Sequence, residues 1–199
     1  MPFRPPPATA CWRHSPAREG FEVAYFEAHQ GGWLIEGTTA ALEDGQTWVV
    51  TYRIVLDSAW VTRSARVTAR NAAGPRETAL ESDGAGHWLV DGDPARHLEG
   101  CLDVDLESSA MTNTFPVHRL DLTQGAGAAA PAAYVRALGL SAERLEQTYT
   151  RIADEGGRQR YDYEAPAFGF TSRLVYDQSG LVVDYPGIAR RAGSLPCPG

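Results

Sequence analysis

Lysine is missing altogether from this chain of 199 residues, whose 18 basic side chains are all arginine. The bias fits the codon usage of a GC-rich genome. Its chemical consequence is that Schiff-base catalysis and a lysine-dependent phosphate loop are excluded. Cysteine is nearly missing as well. Cys11, Cys101 and Cys197 stand far apart with no Cys-x-x-Cys pair, a sparse odd set that fits a reducing compartment and carries no zinc signature. No run of about 18 apolar residues occurs, and the opening Met-Pro-Phe-Arg-Pro-Pro-Pro has no apolar signal core. A cytoplasmic protein with no integral membrane segment is therefore expected. Positive charge is in deficit: the formal net charge of -7 argues against non-specific binding of nucleic acid or anionic membranes. The GxxxxGK[ST], GxGxxG, HExxH and GxSxG patterns are all absent, and no cofactor or metal is expected.

What is present is an ordinary globular composition, 43% hydrophobic and 22% charged. The length suits one domain that buries roughly 70% of its unfolded surface. Apolar side chains recur mostly with period two. In residues 46–57, Trp48, Val50, Tyr52, Ile54 and Leu56 share one face, while Val49 and Val55 make the other only half polar. That strand is expected to be nearly buried on both sides. Further strands are expected over 21–28, 33–41, 60–70, 76–81, 87–91, 97–107, 115–122, 132–137, 145–153, 159–164, 168–176 and 181–185. Gly, Pro, Asp and Asn clusters separate them, as in an antiparallel meander. Residues 138–147 allow a short helix, although the alternation from Leu145 onward favours a strand. Residues 125–133, rich in Gly and Ala, read as a loop. The expected organisation is a proline-rich disordered leader over 1–10, one domain over 11–191 and a loose tail over 192–199.

The densest polar stretch is 101–120. On a strand, Asp103 and Asp105 share a face about 6.6–7 Å apart, opposite Leu102, Val104 and Leu106. Such a pair could serve acid/base glycoside hydrolysis, where an inverting enzyme wants roughly 6.5–9.5 Å between carboxyls, or ligate a hard cation. The structural alternative is a hairpin of 101–107 with 115–122 that returns Arg119 beside the acidic face. Asn113 caps the intervening turn or reads ligand hydroxyls. His118 is a candidate base that lacks an evident nucleophile. Trp60, Tyr149 and Tyr163 are candidate ligand walls among aromatic residues that mostly fill the core. Near the end, Asp184 followed by Arg190 and Arg191 suggests an electrostatic lock.

Several segments occur together in order: Asp103-Val104-Asp105-Leu106, Thr112-Asn113-Thr114 with Pro116, Arg119-Leu120, Gln147-Thr148-Tyr149, Tyr161-Asp162-Tyr163 and Gly180-Leu181-Val182-Val183-Asp184-Tyr185-Pro186. With Trp12-Arg13 and Asp57-Ser58-Ala59-Trp60 they make the chain resemble the bacterial family known as Putative glycolipid-binding, from about Trp12 to Arg191. The resemblance implies a spiral β-roll, a strongly curved and mainly antiparallel sheet with little helix, and a role in glycolipid binding or metabolism. It carries no catalytic residues over. Ser109-Ala110-Met111 stands where the family usually has Thr-Pro-Phe, and His118 where arginine is usual. Losing the proline is expected to loosen the turn; the histidine makes any anion contact there depend on pH.

The resulting expectation is a binding protein for a small amphipathic ligand, a glycolipid or acylated sugar. Asp103, Asp105, Asn113, His118 and Arg119 would contact its head, with Trp60, Tyr149 and Tyr163 as walls. The alternatives are a hydrolase using the paired carboxylates and a non-catalytic scaffold.

Overall fold

The computed structural model describes residues 3–193, which form a mainly β domain. The N-terminal half is a meander of β1 (Thr9–His14), β2 (Glu19–His29), β3 (Gly32–Glu43), β4 (Gln46–Leu56), β5 (Thr62–Asn71), β6 (Gly74–Ser82), β7 (Trp88–Val90) and β8 (Asp93–Pro94). A central insertion follows, with β9 (Asp103–Leu106), a 3-10 turn over Met111–Asn113 and the helix α1 (Thr114–Leu120). The chain continues through β10 (Gly127–Ala129), β11 (Ala132–Val135), β12 (Ala142–Leu145), β13 (Thr148–Glu155) and β14 (Arg158–Ala165). It ends in β15 (Phe170–Tyr176), β16 (Val182–Tyr185) and β17 (Ala189–Ala192).

Fourteen strands make one open antiparallel sheet, ordered β10-β13-β14-β15-β16-β17-β1-β2-β3-β4-β5-β6-β7-β8. Its seam is the pair β1 and β17, where Trp12 lies opposite Arg191. The Arg191 guanidinium sits 5.0 Å over the Trp12 ring and the Trp12 indole donates to the Val182 carbonyl. Arg190 bonds Asp184 at 3.0 Å, as the expected lock requires. A second, three-stranded sheet, β12-β11-β9, contains the parallel pair β9 and β11.

One apolar cluster unites residues of both halves of the large sheet with the insertion between them: Ile54 and Leu80 from one half, Tyr149 and Tyr176 from the other, Val104, Leu106, Phe115 and Val117 in the middle. The sheet thus curls around the insertion. All four residues of β9 are buried, and β9 is tied to the start of β5 through Thr62, whose hydroxyl accepts from the Val104 N–H. Roughly 25 cal/mol per Å² of buried apolar surface drives this closure.

Several expectations are corrected. Residues 115–122 are not a strand, and no hairpin joins them to β9. Pro116 falls in the first helical turn, where its missing N–H has no intrahelical partner to lose, and Asp121 closes the helix at φ 40° with its N–H on the Val117 carbonyl. Over seven residues, alternation of Phe115, Val117 and Arg119 does not separate a period of two from 3.6. The outer face of β4 is open, with Val49 40% exposed and Thr47, Thr51 and Arg53 exposed beside it. The loop expected over 125–133 supplies β10 and the start of β11, and no helix forms over 138–147. Of the expected leader, Thr9 and Ala10 belong to β1, and Arg4 N–H donates to the Gln178 carbonyl. The expected tail lies, beyond Gly193, outside the described residues.

Candidate functional site

Because β9 alternates, Asp103 and Asp105 point to one side and Val104 and Leu106 to the other. The two carboxylates nevertheless meet different surroundings. Asp103, 1% exposed, is gripped by Arg119 from α1, with Nε at 3.0 Å and Nη2 at 2.5 Å. Burial pushes its carboxyl above the ordinary value while the guanidinium pulls it down. Arg119 does neutralise the acidic face, but it arrives from a helix and not across a ladder.

Asp105 accepts from the Thr112 hydroxyl at 2.8 Å and from the Gln147 amide at 3.0 Å. Behind it, the Tyr149 hydroxyl lies 2.9 Å from Asn113 Oδ1 and 3.1 Å from Gln147 Oε1, and the Tyr176 hydroxyl donates to the Asn113 carbonyl. Burial raises the Asp105 carboxyl to about 6, with Asp103 and Glu107 adding to the rise against its two hydrogen bonds.

Asp105 borders a cavity of about 280 Å³. Asp105, Ser109 and Asn113 give it a polar floor, and Tyr163, Phe170 and Tyr185 form an aromatic wall with ring centroids 6.0–6.2 Å apart. Tyr134, cross-strand neighbour of Asp105, stands at the rim with Phe168, their rings 5.5 Å apart. The Arg136 guanidinium lies 5.2 Å from the Tyr134 centroid and 5.4 Å from that of Phe168. Arg18 reaches the cavity from the β1–β2 connection.

A second buried polar cluster supports the floor. Glu22, inward on β2 and fully buried, accepts from the Tyr52 hydroxyl at 2.8 Å, the Ser109 hydroxyl and the Ala110 N–H at 2.9 Å; His14 Nε2 lies 3.4 Å away. Tyr52 reaches Glu22 across β3 because Gly37 leaves room: a Cβ there would meet the phenol ring at 2.3 Å. The turn at 109–111 is therefore held firmly. The Ala110 N–H supplies a bond that a proline would lack.

Of the candidates, Asp105, Asn113 and Tyr163 meet in the cavity. Tyr149 props Asn113 from behind. Asp103 and Arg119 form a separate clamp. His118 and Trp60 lie elsewhere: their rings stack at 3.7 Å, Phe3 covers the histidine at 4.6 Å, and Trp33 lies 5.9 Å from Trp60. His118 Nε2 donates to the Ser179 carbonyl at 3.0 Å, and burial lowers its pKa to about 4. Sequence reasoning missed Arg18, Ser109, Tyr134, Arg136, Phe168, Phe170 and Tyr185. Only the inward phase of β14 and β16 hinted at any of them, marking Tyr185 on the same side as Tyr163. Among the described residues no three His, Cys, Asp or Glu side chains gather to hold a metal ion, and no helix is long and apolar enough to cross a membrane.

The family model described as Putative glycolipid-binding matches residues 9–191. The chain belongs to this family. A crystal structure of a DUF1089 family protein from Pseudomonas aeruginosa, at 1.80 Å resolution, is 32% identical, covers 90% of this chain and 95% of its own, and superposes with a TM-score of 0.74. A β-barrel-like domain of unknown function, DUF1849, from Brucella abortus aligns over 92% of each chain at 10% identity and a TM-score of 0.48. No curated protein shows significant similarity. Within the family frame, Ser109-Ala110-Met111 and His118 both sit in well-bonded surroundings in this chain, the first on Glu22 and the second between Trp60 and Phe3.

Proposed function

We propose that the protein binds a small amphipathic ligand of the glycolipid class and holds its polar head in the cavity beside β9. The observation that carries this is the pairing of an aromatic wall, Tyr163, Phe170 and Tyr185, with a floor of Asp105, Ser109 and Asn113. Aromatic faces pack against the apolar face of a sugar ring, while carboxylate and amide groups exchange hydrogen bonds with its hydroxyls. The family description supports the same class of ligand. At about 280 Å³ the cavity lies at the small end of ligand sites, which run from about 300 Å³ upward. It takes a head group or one short chain, so the remainder of a lipid would project past Phe168. The hydrolase reading through paired carboxylates gains nothing here, since Asp103 is held by Arg119 away from the cavity.

Organic extraction of the purified protein followed by mass spectrometry, with titration of octyl glucoside followed by calorimetry, tests the proposal. Binding to the wild type and loss of binding in Ile188→Trp, which fills the cavity, is the expected outcome. No recovered lipid from several expression hosts together with no titratable binding would overturn it.

A further inference from the structure

Arg18 is 8% exposed, yet its guanidinium is poorly satisfied. Nη1 donates to the Glu107 carbonyl at 3.0 Å, while Nε has no hydrogen-bond partner. The nearest carboxylate, Glu43 Oε1, stands 3.6 Å from Nε, too far for a hydrogen bond, and the Glu43 side chain is 29% exposed. Trp48 lies against the guanidinium at 5.2 Å and fixes its plane. A buried N–H left without an acceptor is costly, and a guanidinium offers a planar fork that matches an oxyanion. Arg151 and Arg191 also carry an unpartnered buried nitrogen, but neither borders this cavity.

The neighbouring groups narrow the oxyanion. Arg136 is already taken up by Glu107 at 3.2 Å and Glu143 at 3.2 Å, so it serves as wall. Tyr134 lies within the field of Arg18, Arg136, Asp105 and Glu107, and burial keeps its phenol protonated, ready to donate. Arg136 is thus neutralised by Glu107 and Glu143, whereas Arg18 has only the partly exposed Glu43 at 3.6 Å. A dianionic phosphate would bring one negative charge more than Arg18 can pair, whereas a carboxylate brings only one.

We propose that Arg18 makes the cavity selective for an amphipathic ligand whose head carries a carboxylate, with Tyr134 as second donor and Asp105 and Asn113 meeting the head's hydroxyls. This rests on the reading that the cavity is the ligand site, and it goes further by assigning the head a single negative charge. The ligand is thus an acidic sugar or hydroxy-acid amphiphile.

Calorimetric titration at pH 7 with octyl glucuronide, octyl glucoside and octyl phosphate tests it on the wild-type protein, with Arg18→Lys as a second measurement. The glucuronide is expected to bind about tenfold or more tighter than the glucoside, the gain of one charge-assisted hydrogen-bonded pair. Arg18→Lys, which keeps the charge and loses the fork, should shrink that ratio. Equal binding of glucuronide and glucoside overturns the carboxylate assignment and leaves the cavity reading standing. Preference for the phosphate overturns it as well. Failure of all three to bind overturns both readings. Should Arg18→Lys not fold, the wild-type ratio alone decides.

Discussion

Arg119 and Asp103, sixteen residues apart, form a two-point clamp that pins α1 to β9 inside the curled sheet. The pair is nearly removed from water, with side-chain exposures of 13% and 1%.

Asp103→Asn leaves a mostly buried guanidinium without its counter-charge, which is expected to cost about 3–5 kcal/mol in a denaturant titration. Replacing both partners together, Asp103→Leu with Arg119→Met, should recover most of that loss, because a well-packed apolar pair substitutes for a buried ion pair. A double variant as unstable as the single one would show that the clamp does more than neutralise charge.

Asp105 makes stability depend on pH in a defined direction. Its carboxyl is raised from 3.8 to about 6 in the folded protein, so the proton is bound more tightly there than in the unfolded chain. The stabilisation is complete below pH 3.8 and is lost as pH rises through about 6. It amounts to something on the order of 3 kcal/mol at most. Unfolding free energies of wild type and Asp105→Asn, measured from pH 4 to 7.5, should therefore diverge across that window, with the variant gaining relative stability as pH rises. Parallel curves would show that Asp105 ionises as in water.

His118 acts in the opposite sense. Its pKa is lowered to about 4, so its contribution is present above the ordinary 6.5 and disappears as pH falls through about 4. Ring-carbon NMR should show a titration near 4, and one near 6.5 would contradict the stacked, buried ring. His118→Arg is expected to fold: a planar guanidinium stacks on Trp60 and donates to the Ser179 carbonyl. Gly180→Ala, by contrast, places a Cβ 2.2 Å from His118 Nε2 at a residue with φ 69° and should lower the melting temperature.

Glu22→Gln puts an amide where the fully buried carboxylate accepts from Tyr52, Ser109 and the Ala110 N–H. One donor is then left facing another. The expected loss is about 2–3 kcal/mol by chemical denaturation. Since Ser109 belongs to the cavity floor, octyl glucoside affinity should fall in the same variant at a temperature where it remains folded.

How far the residues themselves announced this molecule differs from region to region. In β4 the alternation Trp48, Val50, Tyr52, Ile54, Leu56 named the buried face correctly, since period two survives wherever one side of a sheet meets the core. In 115–122 the same pattern misled, because seven residues around Pro116 fit a helix equally well. Asp105, Asn113 and Tyr163, which line the cavity, stood out as candidates through their polar or aromatic character within one dense segment or strand. Arg18 and Tyr185 were not, because their places in the cavity depend on strands far apart in the chain being brought together.

Composition and periodicity alone determined a mainly β domain without lysine chemistry, and the ordered segments around Asp103-Val104-Asp105-Leu106 determined its family. Both are properties of local pattern. Which carboxylate would be clamped and which would face a cavity was decided only in three dimensions. Asp103 and Asp105 share a strand face and a residue type. The helix that delivers Arg119 to one, and the curl that opens space beside the other, arise from contacts between residues distant in sequence.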